Sequence, residues 1–575
     1  MQEFTTYAGL TIGPIYETMR HSKKTREQWF GSYFFSWFME YIMIELSQKL
    51  GDEIFFLTPH LMDRPNISYG GKYPDRFVLQ AKNSVENMYA EMDTICSKTR
   101  LFFSQFIYGI SDKQINVEID AIDQFLASFL QIRFFCMTID DFFKVKQPQI
   151  CPKCHASNEH LKSIAADCNS KEIAVNWQCT QCNAIHAGAS PVDIAYTILD
   201  SLESSFMFSP GKSDQTCDVC KLHPACASAK EERLCPICFM KRFAHQSEYL
   251  RNRVYFEKEF RVFPSIQEIS IHSLEKEYPD IIKTCTQRDK HNDQEINLEA
   301  LQKKLGNVFQ TYHKYFAIIL ADGDNLGQLA SVPGNDAHEL SRRLFEFAER
   351  TEVLIRDYGG YPIFLGGDDI LAFMPVCYQD QTVLDFVKHV SGEYMNIVDC
   401  NIKKTSISFG VNIVYYKFPL ARALNDARYL LEDVAKNEAN KASIAVSLTK
   451  HSGAKTEFVL NLIEPDKLIE PDKLQSFYKL QNQLRQNKKS IPRGIVYNLR
   501  RFKKIVEELQ KLQAPDRLNA FFANNFNEPI FAQYQMEALE NFVKQFLFSD
   551  RPRKFEEVLN MLNFIKFLTD EADHE

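Results

Sequence analysis

The stretch YPIFLGGDDILAFMPV, residues 361–376, constrains this chain more than any other. Apolar runs of this length read as buried strands. Gly366-Gly367 between them is a turn signal that folds the runs into a hairpin. Asp368 and Asp369 then fall at a tight bend against a core. Two like charges held side by side are costly unless a cation offsets them. The hairpin is therefore a candidate metal site whose remaining parts must come from elsewhere. Taken alone, it also reads as an ordinary surface turn.

The neighbouring sequence supplies those parts. YFAIILAD (315–322) reads as a strand ending in an acid, and residues 336–357 have helical apolar spacing. After the hairpin come a second helix (380–398), a strand (405–417), a helix (419–436) and a strand (441–448). The order βαββαβ is ferredoxin-like, here with an extra helix and strand. Residues 7–106 repeat it faintly. A strand at 7–17 precedes a helix at 23–50 with apolar residues at 29, 30, 33, 34, 37, 38 and 42, then two strands and another helix. This copy has Gly13-Pro14 where the acid would stand, and a longer loop (59–75) in place of the acidic hairpin. The fold class is α+β.

Asp322 ends a strand that, in this order, lies beside the hairpin. Asp322, Asp368 and Asp369 together form a candidate catalytic set, able to hold two divalent cations roughly 3.5–4 Å apart. Oxygen-only ligands select Mg²⁺ or Mn²⁺, and Gly323 is counted with the metal-site residues. The DGDNLG turn (Gly323, Asp324, Gly327) and the hairpin glycines Gly366 and Gly367 would let backbone N–H groups face a triphosphate. Lys436 and Lys441 are candidate phosphate contacts; a solvated face is the bland alternative.

Most of the 15 cysteines stand in CxxC pairs. Cys217, Cys220, Cys235 and Cys238 make one tetrahedral Zn²⁺ set, and Cys151, Cys154, Cys179 and Cys182 a second, with 14 and 24 residues between their pairs. Redox or free thiols are the alternative, and Cys168, His155 and His186 are rival ligands for the second set. Four sulfurs leave no open position, so no catalysis is assigned to either.

The net charge of −8 argues against coating nucleic acid by bulk electrostatics. A local basic stretch exists at 485–504, with eight basic residues and no acid; it would face RNA, an acidic partner or solvent. No apolar run approaches the ~18 residues of a membrane span, and MQEFTTYAGL lacks the pattern of a signal peptide. At 575 residues, several domains are expected, in the cytoplasm.

DGDNLG, FLGGDDILAF, SISFGVNIVYYKFPLARAL with VAKNEANKASIAV, CDVC…LCPICFMKR and TIGPIYETMRHSKKTREQWFGSYFFS occur in an order that resembles the large subunit of type III-B CRISPR effector complexes, across residues 7–455. GGDD alone is also similar to diguanylate cyclases. The resemblance implies two ferredoxin-like palm domains facing each other, the first (1–145) non-catalytic and the GGDD palm at 301–455. It implies a zinc-binding, mainly helical domain at 146–300 and a C-terminal helical domain at 456–575. The activity implied is antiviral: a nucleotidyltransferase that turns ATP into a second messenger when the complex, with its other subunits and guide RNA, senses target RNA.

Many members begin with an HD nuclease domain. None of the 14 histidines here is followed by aspartate, so DNA cleavage is expected to be absent. A second departure is Ala442, where the family often has Asn. Most relatives make cyclic oligoadenylates, whereas some HD-less ones transfer AMP to S-adenosylmethionine. Asp63 and Asp75, on the 59–75 loop, are acceptor-side candidates that would suit a cationic group, or else turn residues. A stand-alone GGDEF-like cyclase and a catalytically silent RNA-binding scaffold are the other readings.

Overall fold

The computed structural model describes residues 4–62, 70–110, 119–165, 175–204, 216–229, 232–247, 250, 263–288, 294–327, 336–398, 405–438, 441–463, 472–487, 491–526, 533–548 and 552–570. Asp63, Cys168 and most of the IEPDKL tandem repeat (463–474) lie outside the described residues.

One antiparallel and one mixed sheet carry the molecule. The first contains β1 (Thr6–Gly13), β2 (Ile54–Thr58), β3 (Arg76–Ala81) and β4 (Gln131–Thr138), in the order β2-β3-β1-β4. Helices α1 (Thr25–Leu50) and α2 (Val85–Ile110) belong to the same unit. The second sheet begins with β5 (Tyr315–Asp324), β6 (Tyr361–Gly366), β7 (Asp369–Pro375) and β8 (Ser406–Tyr415), ordered β6-β7-β5-β8. The two orders are the same, so the faint repeat read in the sequence is a repeat of topology. β9 (Ser443–Thr449) then pairs parallel to β8, and β10 (Lys455–Asn461) antiparallel to β9. A parallel neighbour needs a crossover, which α7 (Leu420–Tyr429) and the π-helical turn Leu430–Ala435 provide.

Side-chain alternation assigns the faces of the second sheet. Ala317, Ile319 and Ala321 of β5 face a core built with α5 (Ala337–Asp357) and α6 (Val383–Val398), while Phe316 and Ile318 face a different core. That second core is shared. It also takes Ala8, Leu10 and Ile12 of β1, much of α1, and Cys217, Cys220, Cys235 and Cys238. Helix α1 runs between the lobes, and its apolar spacing understates its burial. Trp29, Phe30, Phe34, Phe35, Trp37, Phe38 and Met39 are each at most 1% exposed, which leaves no solvent face between Glu27 and Glu40.

Several boundaries differ from those read in the sequence. β4 was not legible there, and β1 stops at Gly13 rather than continuing to 17. The second sheet continues through Asn461, so a boundary at 455 would remove its last strand. The C-terminal helices join the same core as that sheet, Phe458 meeting Phe477 and Phe564. Residues 146–300 are not one mainly helical body. They include a three-stranded meander (Leu161–Ala165, Val175–Cys179, Ile185–His186) and α3 (Pro191–Ser204), both packed on the outer face of the first sheet. The other cysteine set and α4 (Pro236–Phe243) belong to the shared core.

Candidate active site

β6 and β7 pair Gly366 with Asp369, which leaves Gly367-Asp368 as a two-residue loop. Gly367 has φ +77°, a conformation that favours glycine. Asp322 lies on the adjacent strand β5, close enough for its charge to act on the Asp368 carboxyl. The Gly323 N–H donates to Asp368 Oδ2 at 3.3 Å. A Cβ on Gly323 would stand 2.8 Å from that oxygen and 2.6 Å from the Tyr394 hydroxyl, so the position admits no side chain.

The cluster is electrostatically unfavourable without a cation. Burial, then the charge of Asp322, raises the Asp368 carboxyl to about 7. Asp369 is also pushed far up, by burial and then by Asp368 and Asp322. Asp369 is exposed and lines a cavity between the two sheets. The cation at hand is Lys436, just past the π-helical turn, whose Nζ donates to Asp322 Oδ2. Among the described residues, only the two cysteine sets gather ligand atoms within 4.8 Å of one another. The three aspartates are thus an open charge cluster, and Mg²⁺ commonly binds through one or two carboxylates plus substrate phosphates. Their donor chemistry fits such an ion.

Asp324 departs from the sequence reading. It is fully buried and accepts from Ser406 Oγ at 2.6 Å, Ser408 Oγ at 2.9 Å and the Ala442 N–H at 3.0 Å. With every approach taken by internal donors it offers nothing to a nucleotide; it ties β5 to the turn before β9. That turn holds Lys441 at φ +50° and Ala442 at φ +43°. A left-handed backbone is where Asn is better tolerated than Ala. Lys441 Nζ donates to Asn325 Oδ1 at 3.0 Å, beside the DGDNLG turn and apart from the three acids. Gly327 has open space around it.

The cavity between the sheets measures about 620 Å³. Asp322 and Asp369 line it from the second sheet, and Asp75 and Arg133 from the first. Asp75 is held above the usual carboxylate range by burial, which Arg76 partly offsets. Two further residues come from segments that spacing could not connect to the site: Glu203 on α3 and Arg428 on α7. Arg76 ties α3 in place through Asp200 at 2.7 Å and Glu203 at 2.9 Å. At the mouth, the Arg428 guanidinium lies 4.3 Å from the centre of the Tyr16 ring.

Both cysteine sets fit a tetrahedral zinc. With Zn–S bonds of about 2.3 Å, sulfurs lie roughly 3.8 Å apart. Cys151–Cys182, Cys154–Cys179 and Cys220–Cys235 are 3.7, 3.5 and 3.9 Å apart. His186 Nε2 stands 3.2 Å from Cys151 Sγ, as a neighbour of an already four-sulfur set. The pairs combine as their spacing suggested.

Two stretches of the chain match known protein families. Residues 315–445 match the family described as Cas10/Cmr2, second palm domain, and residues 7–101 match the CRISPR-associated protein Cmr2, N-terminal. The CRISPR system Cmr subunit Cmr2 of Pyrococcus furiosus is 26% identical over 234 residues, covering 36% of this chain and 25% of that protein. The chain thus matches only about a quarter of that relative's length. Among solved structures, the apo state of type III-B Cmr-beta covers 99% of this chain and 82% of that chain, with a TM-score of 0.60 at 12% identity. Type III-B Cmr-beta bound to cognate target RNA matches likewise, covering 99% and 83%, with the same score and identity. These two share the fold.

Proposed function

We propose that the chain, whose residues 7–101 and 315–445 match the Cmr2 N-terminal and Cas10/Cmr2 second palm models, is the nucleotide-synthesising large subunit of a type III-B CRISPR complex. It works with the other subunits and a guide RNA, and target RNA switches it on. The observation that carries this reading is the meeting of Asp322, Asp368 and Asp369 at adjacent strand ends, with Asp322 and Asp369 lining the cavity between the sheets.

ATP binds at the second sheet as donor. Asp322, Asp368 and Asp369 would hold two Mg²⁺ or Mn²⁺ ions, which activate the attacking hydroxyl and neutralise the leaving pyrophosphate. Lys436, which donates to Asp322, would be placed to contact a phosphate oxygen of the donor. The tight turn at Gly366-Gly367 would keep side chains out of the way of the triphosphate. An acceptor ribose hydroxyl, held from the first sheet, attacks the α-phosphorus. One P–O bond forms, the bond to pyrophosphate breaks, and the hydroxyl proton leaves to solvent. The zinc sets are structural.

The acceptor is the 3′-hydroxyl of another adenylate, giving a cyclic oligoadenylate. A second reading, AMP transfer to S-adenosylmethionine, is favoured by the acids Asp75 and Glu203 on the acceptor wall, which suit a cation better than a second triphosphate. The test is to incubate the assembled complex with target RNA, Mg²⁺ or Mn²⁺ and ATP, with and without S-adenosylmethionine, and to identify products by mass spectrometry. Cyclic adenylates from ATP alone support the first reading. A product carrying one AMP, formed only with S-adenosylmethionine, supports the second. Consumption of GTP in place of ATP contradicts both.

A further inference from the structure

The stretch 70–75 leads into β3 and runs along β6 on its way. Gly71 forms a parallel bridge with Phe364, and its carbonyl accepts the Leu365 N–H at 2.8 Å. Leu365 and the Asp368 loop belong to one hairpin, while Asp75, at the other end of this stretch, lines the opposite wall of the cavity. The acids of the two lobes therefore hang from one hydrogen-bonded contact. The approach is close. A Cβ on Gly71 would stand 2.7 Å from Ser36 Cβ on α1, and Ser36 Oγ accepts the Tyr73 N–H at 2.7 Å.

Lys72, between these anchors, is buried, and its Nζ lies 2.9 Å from the carboxylate of Glu352, itself buried on α5. A buried ion pair adds little net stability over an apolar pair of similar volume. What the pair adds is direction. It fixes where the 70–75 stretch sits against α5, and α5 packs against the sheet that carries the hairpin.

We infer that the Lys72–Glu352 pair is a positioning contact for nucleotide transfer, fixing the Asp368-Asp369 hairpin against the wall that carries Asp75. Neither residue touches a reacting atom. The inference rests on the reading above that the hairpin acids serve that transfer. In-line displacement is steeply sensitive to alignment, a 1 Å misplacement costing on the order of 10²-fold.

The test uses the full-length chain in its assembled complex, with the double substitution Lys72→Leu/Glu352→Leu, which leaves no unpaired buried charge, and the conservative Lys72→Arg. The double variant is expected to keep its zinc content and assembly. Its kcat should fall roughly tenfold to a hundredfold with KM for ATP within about twofold, and Lys72→Arg should retain most activity. Amide exchange across residues 363–366 should quicken about tenfold while β5 and β8 stay protected. An unchanged kcat, or unchanged exchange in the hairpin, overturns the inference. If the wild type makes no nucleotide product, the proposed function falls instead, and the exchange measurement alone decides whether the contact holds the hairpin.

Discussion

Asp368 is where the residue-scale account is most exposed to measurement. Its folded carboxyl titrates at about 7, above the 3.8 of an unperturbed aspartate. The unfolded chain therefore loses this proton first, and stability falls as pH rises from about 4 to about 7. Asp368→Asn removes the charge that burial opposes. The metal-free variant is expected to melt a few degrees higher than the parent at pH 8, the gain disappearing near pH 4. Saturating Mg²⁺ should raise the parent's Tm far more than the variant's. Equal melting at pH 8 without metal would show that the aspartates are not in conflict. The acids themselves were legible from GGDD and the strand-ending Asp322, because both signals are local. The role of Asp324 was not, since nothing in DGDNLG reveals that Ser406, Ser408 and the Ala442 N–H enclose it.

At the scale of elements, the βαββ order of the second unit could be read because its strands are buried apolar runs bounded by turns. β4 escaped because most of QIRFFCMT is half-buried and it carries Arg133, which blurs the alternation. α1 reads as amphipathic although it is enclosed, since Glu27 and Glu40 are buried along it and break the apolar record. Glu27 is paired there with Arg242 of α4 at 2.5 Å, so the zinc knuckle reaches the start of the helix that separates the lobes. The cysteine sets were legible because CxxC spacing is set by the metal and not by long-range packing. Elemental analysis of the purified protein is expected to find about two zinc equivalents. Cys235→Ser should lose about one and lower stability markedly, because its set lies in the shared core. Full stability without zinc would assign the thiols another role.

At the scale of the whole molecule, the site exists because two copies of one topology share a core, and no segment alone contains it. Glu203 on α3, Arg133 on β4 and Arg428 on α7 reach the cavity from distant parts of the chain. Only the folded arrangement shows them beside Asp322 and Asp369. The same continuity joins the C-terminal helices to the second sheet through Phe458, Phe477 and Phe564. If the aspartate cluster performs nucleotide transfer, as proposed above, its removal must abolish synthesis. The most direct measurement is metal-dependent ATP consumption by the assembled complex with target RNA, comparing the parent with Asp368→Asn/Asp369→Asn. The account requires synthesis to fall at least about a thousandfold, the loss of several kcal/mol of transition-state stabilisation, with assembly and target binding intact. Activity within about threefold of the parent would contradict it.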